Sequence, residues 1–419
     1  MKRKLKIILL FVIPSLGGVW GGHCFAQINY AKQIAATVMK QYKDTMVIKK
    51  YISHIEQDKQ IPAGMTLEQA ASMGPAYWNY DIGVVLIGFE RLAQYTGDTS
   101  YISYTKHILD HFIQPDGTIR TYKVEEYNSD FIPPGRQLLR LHQVYKEEKY
   151  KIAAQTIRNQ ISWQPRNSIG GFWHKLKYPS QMWLDGLYMI EPFYAEYSLI
   201  NNQPEYFNDI INQFVWMEKV SRDAKTGLLY HGWDESKLQK WANKKTGLSP
   251  EFWSRSMGWY MMALVDVLDF IPKNHPRRNE LIKILNRLTT ALVKYQDEKS
   301  GVWWQVTNKA NQEKNYLESS TSAMFVFSIA KGIRLKYLPA TFTAAVQKGY
   351  NGLIKEFVSE DANGLYHYNQ AVAGAGLGGT PYRDGTYEYY VNEPRRDDDL
   401  KAIGPFIQAC IEMQLMKKK

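Results

Sequence analysis

The chain predicts an all-α fold, an (α/α)6 barrel of six helical hairpins. Two observations carry that expectation. Apolar helices rich in small residues alternate six times with more polar ones. The connections alternate too, short and polar after the first five apolar helices, long and aromatic before the next. Self-similarity of this length means stacked supersecondary units, each burying its apolar face against its neighbours. Two concentric rings satisfy that pattern. Two separate all-α domains are the other arrangement compatible with 419 residues.

The apolar segments fall at 80–95, 134–145, 184–199, 254–270, 319–333 and 399–413, with a first outer helix over 28–43. Turns such as TGDTS (96–100) and NNQPE (201–205) join each apolar helix to its partner. The returning loops carry Gly-aromatic pieces at 116–124, 170–178, 226–234, 300–307 and 363–369, which predict short hairpins. All these long loops enter the N-terminal ends of the inner helices. Long loops on a rigid scaffold are where function concentrates, so the site is expected at that end.

Residues 1–26 read as an export signal. Lys2, Arg3, Lys4 and Lys6 precede an apolar run, and Cys24-Phe25-Ala26 offers a small residue before the cut. The mature barrel then spans 27–419, and its net charge falls from +11 to +7 with the four basic residues removed. A periplasmic or secreted protein of a Gram-negative bacterium is expected, with no membrane contact after cleavage. No Lys/Arg stripe or recognised motif suggests nucleic acid. Cys410 stands alone in an apolar helix, and after cleavage no partner remains for a disulfide. No sequence signal bears on oligomeric state.

The segment QMWLDGLYM (181–189) places Asp185 alone among large apolar residues. Read as one buried helix, it demands that the carboxylate be paired, protonated or turned to a cavity. An acid in a cavity suits general acid/base chemistry, and a helix-start Asp capping the backbone is the bland alternative. Other polar residues look out of place in the same loops and first turns. They are Tyr80, Asp81, Asp130, His174, His231, Trp253, Arg255 and Trp259. Their recurrence at equivalent points of successive repeats suggests one polar cleft.

Some patterns lead nowhere. Gly374, Gly376 and Gly379 fit G-x-G-x-x-G, but no strand and no helix flank them as a dinucleotide site requires. Asp397-Asp398-Asp399 reads as the start of the last inner helix, with Asp399 near its N-cap, or as a metal site. No His lies at ligand spacing from that run, so no metal and no cofactor are expected. Glu318 reads as a capping residue, and Asp81 as either a helix-start or a pocket group.

The motifs WNYDIG (78–83), NSDFIPPG (128–135), GGFWHK (170–175) and YPSQMWLDGLYM (178–189) come in this order. HGWD (231–234), FWSRSMGWY (252–260), ESSTSAMF (318–325), GLGGTPYRDGTYEYY (376–390) and DDLKAIGPF (398–406) follow. With that order and spacing the chain resembles glycoside hydrolase family 105, the unsaturated rhamnogalacturonyl hydrolases, related to the unsaturated glucuronyl hydrolases. The resemblance implies an (α/α)6 barrel, with Asp185 as general acid/base and Asp130 as a second acid. It implies substrate contacts from Tyr80, His174, His231, Trp253, Arg255 and Trp259. The implied substrate is an anionic oligosaccharide ending in a 4,5-unsaturated uronic acid, removed by hydration of the ring double bond. Galacturonate followed by rhamnose, from pectin, is the family's commonest case. A glucuronate-derived substrate, or a carbohydrate-binding barrel without catalysis, is the alternative.

Overall fold

The computed structural model describes residues 25–43, 46 and 76–417. The export signal expected over 1–26 lies outside these residues, apart from the last two. Six inner helices form a ring: α2 (Tyr80–Thr96), α4 (Gly135–Tyr145), α6 (Leu184–Ile200), α8 (Ser254–Phe270), α10 (Ser319–Arg334) and α13 (Leu400–Lys417). Each packs on the next, and α13 packs on α2, which closes the ring. The outer helices are α1 (Phe25–Gln41), α3 (Ser100–Asp110), α5 (Glu148–Trp163), α7 (Phe207–Ser221), α9 (Arg278–Lys294) and α11 (Thr343–Phe357). A short helix, α12 (Tyr387–Asn392), sits in the last long loop. The expected barrel is therefore observed, and the inner helices start within a residue of where the apolar periodicity puts them. Among the described residues, no helix is long and apolar enough to cross a membrane.

The ring closes at two glycines. Gly404 of α13 lies against α2, where an added Cβ would sit 2.1 Å from the Val84 carbonyl oxygen; one on Gly88 would lie 3.1 Å from the Gly404 carbonyl oxygen. Backbone contact of this kind has no side chain that could yield. Gly404→Ala is expected to cost at least about 1–3 kcal/mol through overpacking. Urea unfolding of the purified variant measures it, and an unchanged midpoint would refute the tight closure.

The short hairpins expected in the mouth loops are present, most of them reduced to a single antiparallel bridge. A real hairpin forms between β3 (Val358–Glu360) and β4 (Tyr366–Tyr368). The pieces at 116–124 and 170–178 make single bridges, Ile113 with Ile119 and Arg166 with Phe172. Elsewhere strands tie separate loops together. β1 (Gln181–Trp183) pairs antiparallel with β2 (Gly232–Asp234), and β5 (Ala371–Val372) with β6 (Arg395–Arg396). The recurring Gly is explained by its turn. Asp223 and Asp297 each accept from the backbone and hydroxyl of Thr226 and Ser300, and Gly227 and Gly301 follow at φ +74° and +79°. A side chain there would be strained.

Candidate active site

The long loops and the first turns of the inner helices enclose a cavity of about 190 Å³. A larger groove of about 540 Å³ lies between α7 and α9, but its Glu218 is already paired with Arg222 and Arg287. The mouth cavity therefore holds the polar groups that need an explanation.

Asp185 is the second residue of α6, and β1 ends immediately before that helix. Met182 and Trp183 thus belong to a strand, not to the helix that their apolar character suggests. Periodicity cannot separate a short buried strand from a helix start. The capping alternative also fails. Trp183 is the N-cap residue and no side chain caps the turn. Asp185 is 8 % exposed and lines the cavity. Its Oδ2 is buried and accepts no hydrogen bond from the protein. His231 Nε2 stands 3.2 Å from it without hydrogen-bond alignment. Tyr390, whose hydroxyl burial holds protonated, sits 2.7 Å from His231 Nδ1. With Tyr390 as donor, the ring proton is on Nε2 and faces Asp185.

Asp130 lines the same cavity from a 3-10 turn, where its backbone N–H donates to the Asn128 side chain. Lys175 donates to Asp130. His174 lines the wall too, its Nδ1 3.1 Å from Ser129 Oγ. Burial, with Lys175 beside it, holds His174 well below the ordinary histidine range, so the ring is neutral. Trp183 stacks on both His174 and Tyr178, with ring centres 4.4 Å and 4.8 Å away. These three stacked rings form one aromatic wall of the cavity.

Tyr80 and Asp81 of α2 also line the cavity. Burial, then the charges of Asp81 and Asp130, pushes the Tyr80 hydroxyl far up. Lys401 donates to Asp81 at 2.8 Å and to Asp399 at 2.9 Å, and Asn79 donates to Asp81 at 2.8 Å. Asp81 is thus a pocket group. Burial raises its carboxyl despite Lys401. Asp399 accepts from the Lys401 backbone N–H at 3.0 Å, as expected of an N-cap. Glu318 caps α10 and accepts from Ser320, Thr321 and the Val372 N–H. The three glycines follow the two-residue strand β5, and no helix opens at Gly379; Gly374 lines the cavity.

Four expected substrate contacts lie behind the wall rather than on it. His231 is fully buried behind Trp183. Trp253 packs on His231 and stacks on Tyr390, and Trp259 sits between Tyr80 and Tyr188. Neither tryptophan lines the cavity. Arg255 is 1 % exposed, and its guanidinium donates to the Val372 carbonyl and lies 3.4 Å from Ser320 Oγ. Burial costs this charge, and Glu318, Tyr80, Asp399 and Asp185 together outweigh that cost. The cations on the wall are instead Lys175, Arg383 and Lys401. Sequence reasoning missed Lys401, which stands near the start of an apolar inner helix just after the Asp397–Asp399 run. Arg383 sits in an aperiodic loop and had no signal of its own.

The residues Ala373, Gly374 and Ala375 that follow Val372 line the cavity, so Arg255 supports this segment from beneath. Arg255→Lys keeps the charge but loses the reach of the planar fork. KM is expected to rise severalfold, up to about 2 kcal/mol of binding, with kcat less affected. Wild-type kinetics in this variant would show that the contact is idle.

The model of Glycosyl Hydrolase Family 88 matches residues 31–417. A glycoside hydrolase of family 105 from C. acetobutylicum ATCC 824 is 41 % identical. The alignment covers 93 % of this chain and 99 % of that one, with a TM-score of 0.83. The unsaturated rhamnogalacturonyl hydrolase YesR of Bacillus subtilis (strain 168) is 28 % identical over 290 residues, 68 % of this chain and 77 % of YesR. The unsaturated glucuronyl hydrolase of Bacillus sp. GL1, 13 % identical, shares the fold with a TM-score of 0.63 over 93 % of this chain and 96 % of that one. A closed ring of helical hairpins, an unpartnered acid at its mouth and these likenesses agree: the chain is a glycoside hydrolase of the family 88 group, and within it belongs with the family 105 enzymes.

Proposed function

We propose that the enzyme removes a 4,5-unsaturated uronic acid from the non-reducing end of lyase-generated oligosaccharides by hydrating the ring double bond. The observation that carries this reading is Asp185, a buried acid on a cavity wall whose Oδ2 no protein donor holds. A cavity of about 190 Å³ suits one terminal sugar ring rather than an open polymer groove. YesR, named for action on unsaturated rhamnogalacturonyl substrates, supports the same class.

The C4=C5 bond is an enol ether. Protonated Asp185 donates to C4, and positive charge develops at C5 and the ring oxygen. The resulting carboxylate takes a proton from water attacking C5. The hemiketal opens, and the aglycone leaves from C1. One acid that gives a proton and then takes one back is enough, whereas hydrolysis at the anomeric carbon uses paired carboxylates around that centre. His231 stands behind the Asp185 carboxyl, and Asp130, tied to Lys175, faces the sugar hydroxyls. The Tyr178–Trp183–His174 wall takes the ring face. No step calls for a metal or cofactor.

Galacturonate followed by rhamnose is the specific substrate we propose, which places the enzyme in pectin breakdown, with export to the periplasm as the location. The test is turnover of a lyase-generated oligosaccharide beside a saturated oligosaccharide of the same sequence. Only the unsaturated one is expected to be consumed. Release of a saturated uronic acid would overturn the proposal.

A further inference from the structure

Tyr390 reaches the reacting acid only through His231. It belongs to α12 in the last long loop, 159 residues further along the chain than His231. The side chain is fully buried, and its hydroxyl lies 2.7 Å from His231 Nδ1. Two contacts fix its place. The ring stacks on Trp253 with ring centres 5.8 Å apart. Gln305 joins the same two residues, donating to the Tyr390 carbonyl at 3.1 Å and accepting from Trp253 Nε1 at 3.2 Å. Tyr390 does not line the cavity, so any effect it has on substrate passes through His231.

A hydroxyl and an imidazole nitrogen can share a proton in either direction. Were His231 to donate from Nδ1, the tyrosine proton would be buried with no other acceptor among the described residues. The bare Nε2 lone pair would also face Asp185 Oδ2 at 3.2 Å. Unmet buried donors are rare and costly, and facing lone pairs repel. With Tyr390 as donor, Nδ1 is satisfied and Nε2 presents its hydrogen to the carboxyl. Burial keeps the Tyr390 hydroxyl protonated, so this donor persists. Nε2 and Oδ2 are not aligned as a hydrogen bond. Catalytic contacts of this kind tighten as the reaction proceeds, and an N–H suits the carboxylate left after proton transfer better than the acid before it.

We infer that Tyr390 is a positioning residue: its hydroxyl fixes the His231 proton on Nε2, and that N–H stabilises the Asp185 carboxylate that forms as C4 is protonated. The inference rests on the reaction proposed above. Oδ2 is the buried oxygen and faces the N–H, so the transferable proton belongs on Oδ1. That proton goes from Oδ1 to C4, the electron pair of the O–H bond stays on the carboxyl, and water attacking C5 returns a proton to it. His231 keeps its own proton throughout.

Tyr390→Phe keeps the ring against Trp253 and removes only the hydroxyl. On an unsaturated oligosaccharide its kcat is expected to fall about tenfold with KM changed less than about twofold, because the lost interaction belongs to the transition state. Nitrogen-15 spectra of histidine-labelled protein locate the ring proton, with His231→Gln identifying the signal. Wild type is expected to carry it on Nε2 alone, and Tyr390→Phe to show a mixture of tautomers. A wild-type proton on Nδ1, or on both nitrogens, overturns the inference. Unchanged kcat in folded Tyr390→Phe overturns it too. If Tyr390→Phe does not fold, the wild-type spectrum decides. Wild-type enzyme that turns over no unsaturated oligosaccharide overturns the proposed reaction instead, and the spectrum still places the proton.

Discussion

Asp185→Asn is expected to lower kcat by at least about a hundredfold while the protein stays folded. The amide keeps the size and shape of the carboxyl but cannot deliver a proton to C4 and recover one from water. Little stability should be lost, because Oδ2 accepts no hydrogen bond from the protein and an amide is cheaper to bury than a charge. Thermal unfolding and steady-state kinetics on the same preparation separate the two roles. A folded variant with near wild-type kcat would remove Asp185 from the chemistry. An unfolded one would make it a structural residue.

The second large effect lies deep in the barrel, near the far end of α8. Asp266 is fully buried and accepts from three cations on three other inner helices: Arg91 at 2.6 Å, Arg136 at 2.8 Å and Lys331 at 2.7 Å. Removing the carboxylate leaves three cations crowded with less compensation. Asp266→Asn is expected to cost about 3–5 kcal/mol. Burial raises this carboxyl, but Arg91, Lys331 and Arg136 outweigh it and hold it far below the usual range. A folded-state value below the unfolded one means stability that is present above about pH 4 and is lost as pH falls through that region and below. The gap between wild type and Asp266→Asn should therefore narrow under acid, as measured by urea unfolding from neutral pH down to about pH 3. A gap under about 1 kcal/mol at neutral pH would show that the cluster does not hold the ring together.

The architecture was legible because two periodicities agreed, the 3.6-residue apolar spacing inside each helix and the alternation of short and long connections between them. Asp185 was legible because a lone acid among Leu184, Leu187, Tyr188 and Met189 has few places to go. What sequence hid was direction. Arg255 belongs to the first turn of an inner helix, as Asp185 does, yet its guanidinium turns to a carbonyl in a loop that comes much later in the chain. Trp253 and Trp259 satisfy the same aromatic expectation as Trp183, but they pack behind the wall that Trp183 forms. Loop-to-loop strands such as β1 with β2 decide which rings face the cavity, and no local pattern encodes a pairing between separate repeats.

The central claim is that the double bond is hydrated before the aglycone departs. Following ultraviolet absorbance of the conjugated bond and aglycone release in one reaction tests it most directly. The account predicts that absorbance falls with or ahead of release in wild type, and that both are suppressed together in Asp185→Asn. Aglycone appearing while the absorbance persists would place the cleavage at the anomeric carbon of an intact unsaturated ring and contradict the account.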